Sequence, residues 1–136
     1  MSDPNVRLQL LAARDRFARS LGAELVEVGP GRAVLELTVA SEHLNFNDTC
    51  HGGVVFSLAD AAFGLASNTH GAVAAAIDAH IGYSAPAHEG DRITAAAAEV
   101  TRSPRFAIYR VDVKKADGTV VGVFSGTVYI TNRQHQ

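Results

Sequence analysis

Residues 52–66 read Gly52-Gly53-Val54-Val55-Phe56-Ser57-Leu58-Ala59-Asp60-Ala61-Ala62-Phe63-Gly64-Leu65-Ala66. Apolar residues fill nearly every position, so the segment lacks the polar stripe of a surface helix. It reads as a long helix from about Gly53 to Thr69, ended by Gly71. A helix without a polar face must be wrapped by other structure. It does not reach the roughly 18–20 uninterrupted apolar residues of a membrane span, and Asp60 interrupts it.

The wrapping is read from the flanks. Upstream, Val6, Leu10, Ala13, Phe17 and Leu21 recur at helical spacing, which predicts an amphipathic helix over Asn5–Leu21. Two strands follow, Leu25–Val28 and Arg32–Ala40, joined by the turn Gly29-Pro30-Gly31. In the second, Leu35, Leu37 and Val39 share one face, and Glu36 and Thr38 the other. A polar, irregular loop, Ser41–Gly52, leads to the long helix. Downstream lie four extended segments, Val73–Tyr83, Arg92–Arg102, Phe106–Lys115 and Thr119–Thr131, with Asp117-Gly118 as a tight hairpin before the last. These parts predict a single α+β domain over residues 1–136. An antiparallel sheet of five to six strands curls around one long central helix, with an extra helix at the N-terminus.

Composition narrows the function. A chain of 136 residues buries roughly 68–70% of its unfolded surface and fits one domain. A hydrophobic content of 47% excludes global disorder. The net charge is −2 without a basic block, which argues against nucleic acid as a partner. A single cysteine, Cys50, rules out an intrachain disulfide and fits a reducing compartment. The start Met1-Ser2-Asp3-Pro4 shows no secretory pattern, so a cytoplasmic protein without membrane contact is expected.

Two features carry chemistry. The helix opens with His51-Gly52-Gly53, where glycine lets a ligand approach and the free N–H groups of a first turn attract developing negative charge. That suits an oxyanion hole; a plain flexible helix start is the other reading. Second, Asp60 sits in apolar surroundings, where an unpaired carboxylate is costly. It is either a functional acid or a structural one bonded to a neighbour. Gly52 and Asp60 are eight residues apart, about 12 Å along a helix axis. One carbonyl cannot touch both in one subunit. If both act together, Asp60 comes from a second copy, which makes a homodimer with two shared sites.

The stretches Leu44-Asn45, Cys50-His51-Gly52-Gly53 and Phe56-Ser57-Leu58-Ala59-Asp60-Ala61-Ala62-Phe63 resemble the signature of hotdog-fold acyl-CoA thioesterases. The similarity is greatest to the phenylacetate-catabolism subfamily and runs from about Leu21 to Ile130. The resemblance implies that Gly52 gives its N–H to the thioester oxygen. It makes Asp60 of the facing subunit the nucleophile or general base, Asn45 a holder of thioester or water, and His51 the residue that shapes the turn. Gly53 would lie against substrate. The basic turn Arg102-Ser103-Pro104-Arg105 would meet CoA phosphates, unless it is simply a solvated turn. The implied substrate is an aryl-acetyl-CoA, phenylacetyl or hydroxyphenylacetyl, and the implied assembly a dimer or tetramer.

Departures from the family pattern bear on substrate choice and CoA contacts. Ala61 stands where several relatives carry Thr. Ala13-Arg14-Asp15 lacks the Asn that some carry in the first helix. Tyr83-Ser84-Ala85-Pro86 replaces a frequent Phe-Leu-Arg-Pro. Ala59, Ala62, Gly64 and Ala66 leave room for an acyl group without naming it.

Other chemistries fit less well. The six histidines, at 43, 51, 70, 80, 88 and 135, have no ligand spacing, so no metal or cofactor is expected. Cys50 and His51 are adjacent, and adjacent residues rarely aim at one another. Ser57 lacks a G-x-S-x-G frame. Two alternatives share the fold. Hydration or dehydration of an acyl thioester wants a His–carboxylate pair, and His51 belongs to the turn. A non-enzymatic acyl-CoA sensor has no need of a carboxylate at position 60.

Overall fold

The computed structural model describes residues 4–136. Two short helices open the chain, α1 (Pro4–Ala13) and α2 (Arg16–Ser20), followed by the hairpin β1 (Glu24–Gly29) and β2 (Arg32–Thr38). A 3-10 turn at Ser41–His43 precedes the long helix α3 (Gly52–Ser67). Four strands complete the fold: β3 (Ala72–Tyr83), β4 (Arg92–Arg102), β5 (Phe106–Lys115) and β6 (Val120–Gln134). All six strands form one antiparallel sheet in the order β1-β2-β4-β5-β6-β3. This is the expected α+β arrangement.

The N-terminal helix differs from expectation, for it is two helices. Asp15 leaves the helical region at φ −78°, ψ 92°, and its carboxylate accepts the Ala18 N–H at 3.0 Å. A carboxylate that can cap a new helix competes with continuing the old one. The last strand also runs further than Thr131, because Gln134 pairs with Ala72 at the start of β3.

The sheet curls over one side of α3. Leu35 and Leu37 of β2, Ile93 and Ala95 of β4, Tyr109 and Val111 of β5, and Phe124 and Val128 of β6 point inward and are buried. Val55, Leu58, Ala59, Ala62, Phe63 and Ala66 of the helix meet them. The Phe63 ring sits 5.9 Å from that of Tyr109 and 5.3 Å from that of Phe124, tilted against both. The opposite side of α3 is not covered. Gly53 and Asp60 are exposed, and Ser57, Ala61 and Gly64 are half-buried. Spaced three and four residues apart, they form one stripe. The wrapping that its apolar sequence requires is therefore half complete within one chain.

Gly126 fixes how closely β6 approaches the helix. A methyl group there would stand 2.7 Å from the Phe63 ring, which its aromatic neighbours hold in place. Gly126→Ala should cost about 1–3 kcal/mol through overpacking. Thermal unfolding should show Tm lower by several degrees; an unchanged Tm would mean that the ring cluster yields freely.

Candidate functional site

The loop before α3 is compact. His43 is buried, and its Nδ1 accepts the Ala40 N–H at 2.9 Å. Leu44 bridges to Cys50, closing a tight excursion that turns at Asp48, whose φ is +57°. Inside it the Asn45 carboxamide oxygen accepts from the Asn47 and Thr49 N–H groups at 2.9 and 3.2 Å, and from the Thr49 hydroxyl at 3.2 Å. That oxygen is committed to the loop, so the amide N–H bonds are what Asn45 has left to offer. The Cys50 N–H donates to the Ala87 carbonyl at 2.7 Å, and the His51 N–H to that of His43 at 2.8 Å. The loop thus reaches α3 with its backbone fixed.

The two glycines differ in role. His51 is the N-cap of α3, and its Nδ1 accepts the Gly53 N–H at 2.8 Å. Accepting there requires an unprotonated Nδ1, and hence the tautomer with its proton on Nε2. The His51 carbonyl accepts from Val54 at 2.9 Å. The Gly52 N–H has no acceptor among the described residues. It is the open donor at the positive end of a helix of 16 residues. On the other side, the Tyr83 hydroxyl donates to the Gly52 carbonyl at 2.8 Å. A Cβ at position 52 would lie 3.2 Å from the Tyr83 ring, and one at position 53 would lie 3.0 Å from His51 Nδ1. Close approach is the reason for glycine at both positions.

Asp60 lies about two turns further along α3. It is exposed, so its own chain does not enclose it as the apolar sequence suggested. It borders a cavity of about 920 Å³ between the N-terminal helices, β1 and α3. The walls around its carboxyl nevertheless thin out the water, and this, followed by the charge of Asp15, raises its pKa above the ordinary value. Ala61 and Gly64 line the cavity, whereas Ala59, Ala62 and Ala66 face the sheet and are fully buried. The small residues that leave room are thus on the opposite side from most of those expected.

The remaining candidates lie elsewhere. Arg102 is 3.9 Å from Glu99, and Glu99 also holds His70 at 3.0 Å and the Tyr109 hydroxyl at 2.8 Å. Arg105 donates to the Asn132 side chain at 2.8 Å. His70 follows the C-terminal end of α3, so Arg102 stands at the far end of the helix from Gly52 within one chain. Burial, then Asp91, pushes the Cys50 thiol up to about 11, which leaves it protonated and unreactive. Among the described residues no three metal-binding side chains converge, and no helix is long and apolar enough to cross a membrane. Sequence reading missed Tyr83 as a support of the helix start and Asp15 as a neighbour of Asp60. Tyr83 reaches Gly52 across 31 residues, and no local pattern shows that. The helix-capping preference of Asp was the available signal for Asp15.

Comparison with known proteins agrees with this geometry. The model of the family described as the thioesterase superfamily matches residues 47–122, more than half of the chain. The acyl-coenzyme A thioesterase PaaI of Escherichia coli is 34% identical over 112 residues, covering 82% of this chain and 80% of that protein. In a structural comparison, E. coli PaaI of the phenylacetic acid degradation operon superposes with a TM-score of 0.91 at 28% identity, covering 97% of this chain and 99% of that one. A mutant of the phenylacetic acid degradation protein PaaI from Thermus thermophilus superposes with a TM-score of 0.82 at 43% identity, over 85% of this chain and 98% of that one. The open amide at the start of the wrapped helix, the carboxylate along its uncovered side and the extent of these matches lead to one assignment: the chain belongs to the thioesterase superfamily of hotdog-fold enzymes.

Proposed function

We propose that the thioesters this enzyme cleaves are acyl-CoAs, hydrolysed to free acid and CoA at sites shared by two copies of the chain. The observation that carries the reading is the unpartnered Gly52 N–H at the start of α3. As a nucleophile adds to the thioester carbon, negative charge grows on the carbonyl oxygen. A fixed N–H at a helix N-terminus stabilises that charge more than the neutral carbonyl before it. Asp60 of the second copy either attacks the carbon itself or takes a proton from attacking water. Collapse of the adduct breaks the C–S bond and releases CoA as a thiolate, which takes the proton held by Asp60 on the water route or one from water on the nucleophilic route. On the latter, water then hydrolyses the acyl–Asp60 anhydride to the free acid and restores the carboxylate. His51 keeps the turn open by occupying Gly53, and Asn45 offers its amide N–H bonds to the thioester or the water. Gly53, Arg102 and Arg105 belong to this reading as substrate contacts, the arginines for the phosphates of CoA.

The need for two copies rests on distance and exposure. Gly52 and Asp60 are about 12 Å apart along the axis. The uncovered stripe of α3, the edge strand β3 with Ile77 at 56% exposure, and Phe46 at 95% call for a covering partner. A second copy on that face supplies one and yields two equivalent sites. We extend this to a tetramer and to aryl-acetyl groups. The names of the E. coli and T. thermophilus relatives support the acyl assignment, and the cavity beside Ala61 and Gly64 has the volume for an aromatic ring. Hydration chemistry would need a free imidazole base, and Nδ1 of His51 is already an acceptor.

The purified protein should release thiol from phenylacetyl-CoA at the same rate with and without a chelator; loss of activity restored by zinc would end this mechanism. Asp60→Asn should lower kcat at least about a hundredfold, with a smaller effect on KM. The same variant tests the raised carboxyl pKa. A carboxyl whose pKa is raised by folding destabilises the folded state once ionised. That cost is full above the folded-state pKa and disappears as pH falls below the ordinary carboxylate value. Asp60→Asn should therefore melt higher than the parent at pH 7–8, and the gap should close toward pH 3–4. A variant that melts lower at neutral pH yet keeps near-normal turnover per folded molecule would identify Asp60 as a structural residue. Mixing Asp60→Ala subunits with Gly52→Val subunits should restore part of the activity, and no restoration would count against a site built from two chains.

A further inference from the structure

Phe46 makes almost no use of its own chain. It is 95% exposed, and the next most exposed large apolar residue, Val100, stands at 64%. Single apolar residues at a surface are ordinary, but an aromatic ring bare on nearly every side is not. Its backbone is not loose. Asn45 and Asn47, on either side of it, are both tied down. The Asn45 N–H donates to the Thr49 carbonyl at 2.8 Å, and the Asn47 N–H to the Asn45 carboxamide oxygen at 2.9 Å. The Asp48 N–H closes the turn on the Asn45 carbonyl at 3.0 Å. The loop therefore holds a ring out from a fixed backbone. Such a ring has little conformational freedom to lose when something covers it.

The cavity beside Asp60 is in want of such a ring. Among the described residues that line it are Leu11, Leu25, Leu35, Ala61 and Gly64, and none is Phe, Tyr or Trp. Its volume is about 920 Å³, whereas roughly 150 Å³ is enough to hold a benzene ring. An arylacetyl group there would have free space on several sides and no aromatic surface to lie against. Asp60 on the wall is exposed, so the cavity opens beside the carboxylate.

The shared site brings ring and cavity together. It places Gly52 and Asn45 of one copy against a thioester beside Asp60 of the other, and Phe46 follows Asn45 by one Cα step of about 3.8 Å. The Asn45 carboxamide turns into the loop, and Phe46 faces out of it. Outside the loop, in that assembly, is the rim of the second copy's cavity. We propose that Phe46 closes the acyl site of the facing copy, with its ring against the aryl group bound beside Asp60, and so sets acyl preference in trans. This rests on the shared acyl-CoA site proposed above. Ring pairs gain from edge-to-face or offset contact, which an aliphatic acyl chain cannot reproduce. A single apolar contact in a hydrophobic pocket discriminates by about tenfold or more.

The test reads acyl preference by thiol release, as the ratio of kcat/KM for phenylacetyl-CoA to that for hexanoyl-CoA. Phe46→Ala should lower this ratio about tenfold. Phe46→Tyr should keep most of it, and Phe46→Leu, which retains apolar bulk without a ring, should fall between. Subunit mixing then locates the ring. Asp60→Ala and Gly52→Val subunits together form one working site, from the loop of the first and the carboxylate of the second. Phe46→Ala added to the Asp60→Ala subunit should lower the ratio; added to the Gly52→Val subunit, it should not. The reverse pattern would put the ring in its own chain's cavity and overturn the inference, as would an unchanged ratio in both mixtures. A Phe46→Ala protein that is monomeric by light scattering and loses both substrates equally would make Phe46 an assembly anchor, which also overturns it. If the acyl-CoA reading itself fails, the parent protein hydrolyses neither thioester. If only the shared site fails, the parent is active but the unmodified mixture is not. In both of these cases the inference falls with its premise.

Discussion

The N–H of Gly53 donates to Nδ1 of His51, and that choice decides which amide at the helix start is left open. A helix start leaves several N–H groups without intrahelical acceptors. Here the loop and the cap take up their neighbours and leave Gly52 open. The rest of the region exists to hold that arrangement. The Leu44–Cys50 bridge closes the loop, Asn45 threads its inside, and the Ala87 carbonyl anchors its last turn. Each is a backbone or amide hydrogen bond between neutral groups, so the site is built without spending charge.

A second constraint is areal. The sheet satisfies one side of α3, and the core there is dense with alanine and aromatic side chains. The other side carries Gly53, Ser57, Asp60, Ala61 and Gly64, too small and too few in polar atoms for a helix meant to face water. The same stripe carries the carboxylate. In the proposed dimer, covering apolar surface and completing the reaction centre are one event, so catalytic competence follows assembly.

Much of this was legible in the sequence, and the failures are local. The long helix was expected over Gly53–Thr69 and spans Gly52–Ser67, because an uninterrupted apolar run has few other solutions. The strands fell near their places because alternation such as that of Leu35, Leu37 and Val39 records a half-buried face. The break at Asp15 was hidden, since the helical spacing from Ala13 to Phe17 runs straight across it. Capping by the Asp15 carboxylate won over that periodicity. Spacing alone separated Gly52 from Asp60 along the axis. The Tyr83 contact and the cavity walls were out of reach, because they depend on how β3 and the N-terminal helices fold back on α3. Hydrophobicity said that Ala59, Ala61 and Ala62 were small, but not which of them turned toward the cavity.

The Tyr83 hydroxyl has a consequence beyond support. The carbonyl it binds and the N–H that His51 binds belong to the same peptide unit, the one joining Gly52 to Gly53. The preceding unit, joining His51 to Gly52, is held through its carbonyl by the Val54 N–H and presents its own N–H to the site. Two successive peptide planes are therefore locked at three of their four polar ends, and the fourth cannot swivel. In the proposed mechanism, the reorientation that water would undergo around a forming oxyanion was completed when the chain folded. Its cost is carried by the ground state of the protein, not by the barrier of the reaction.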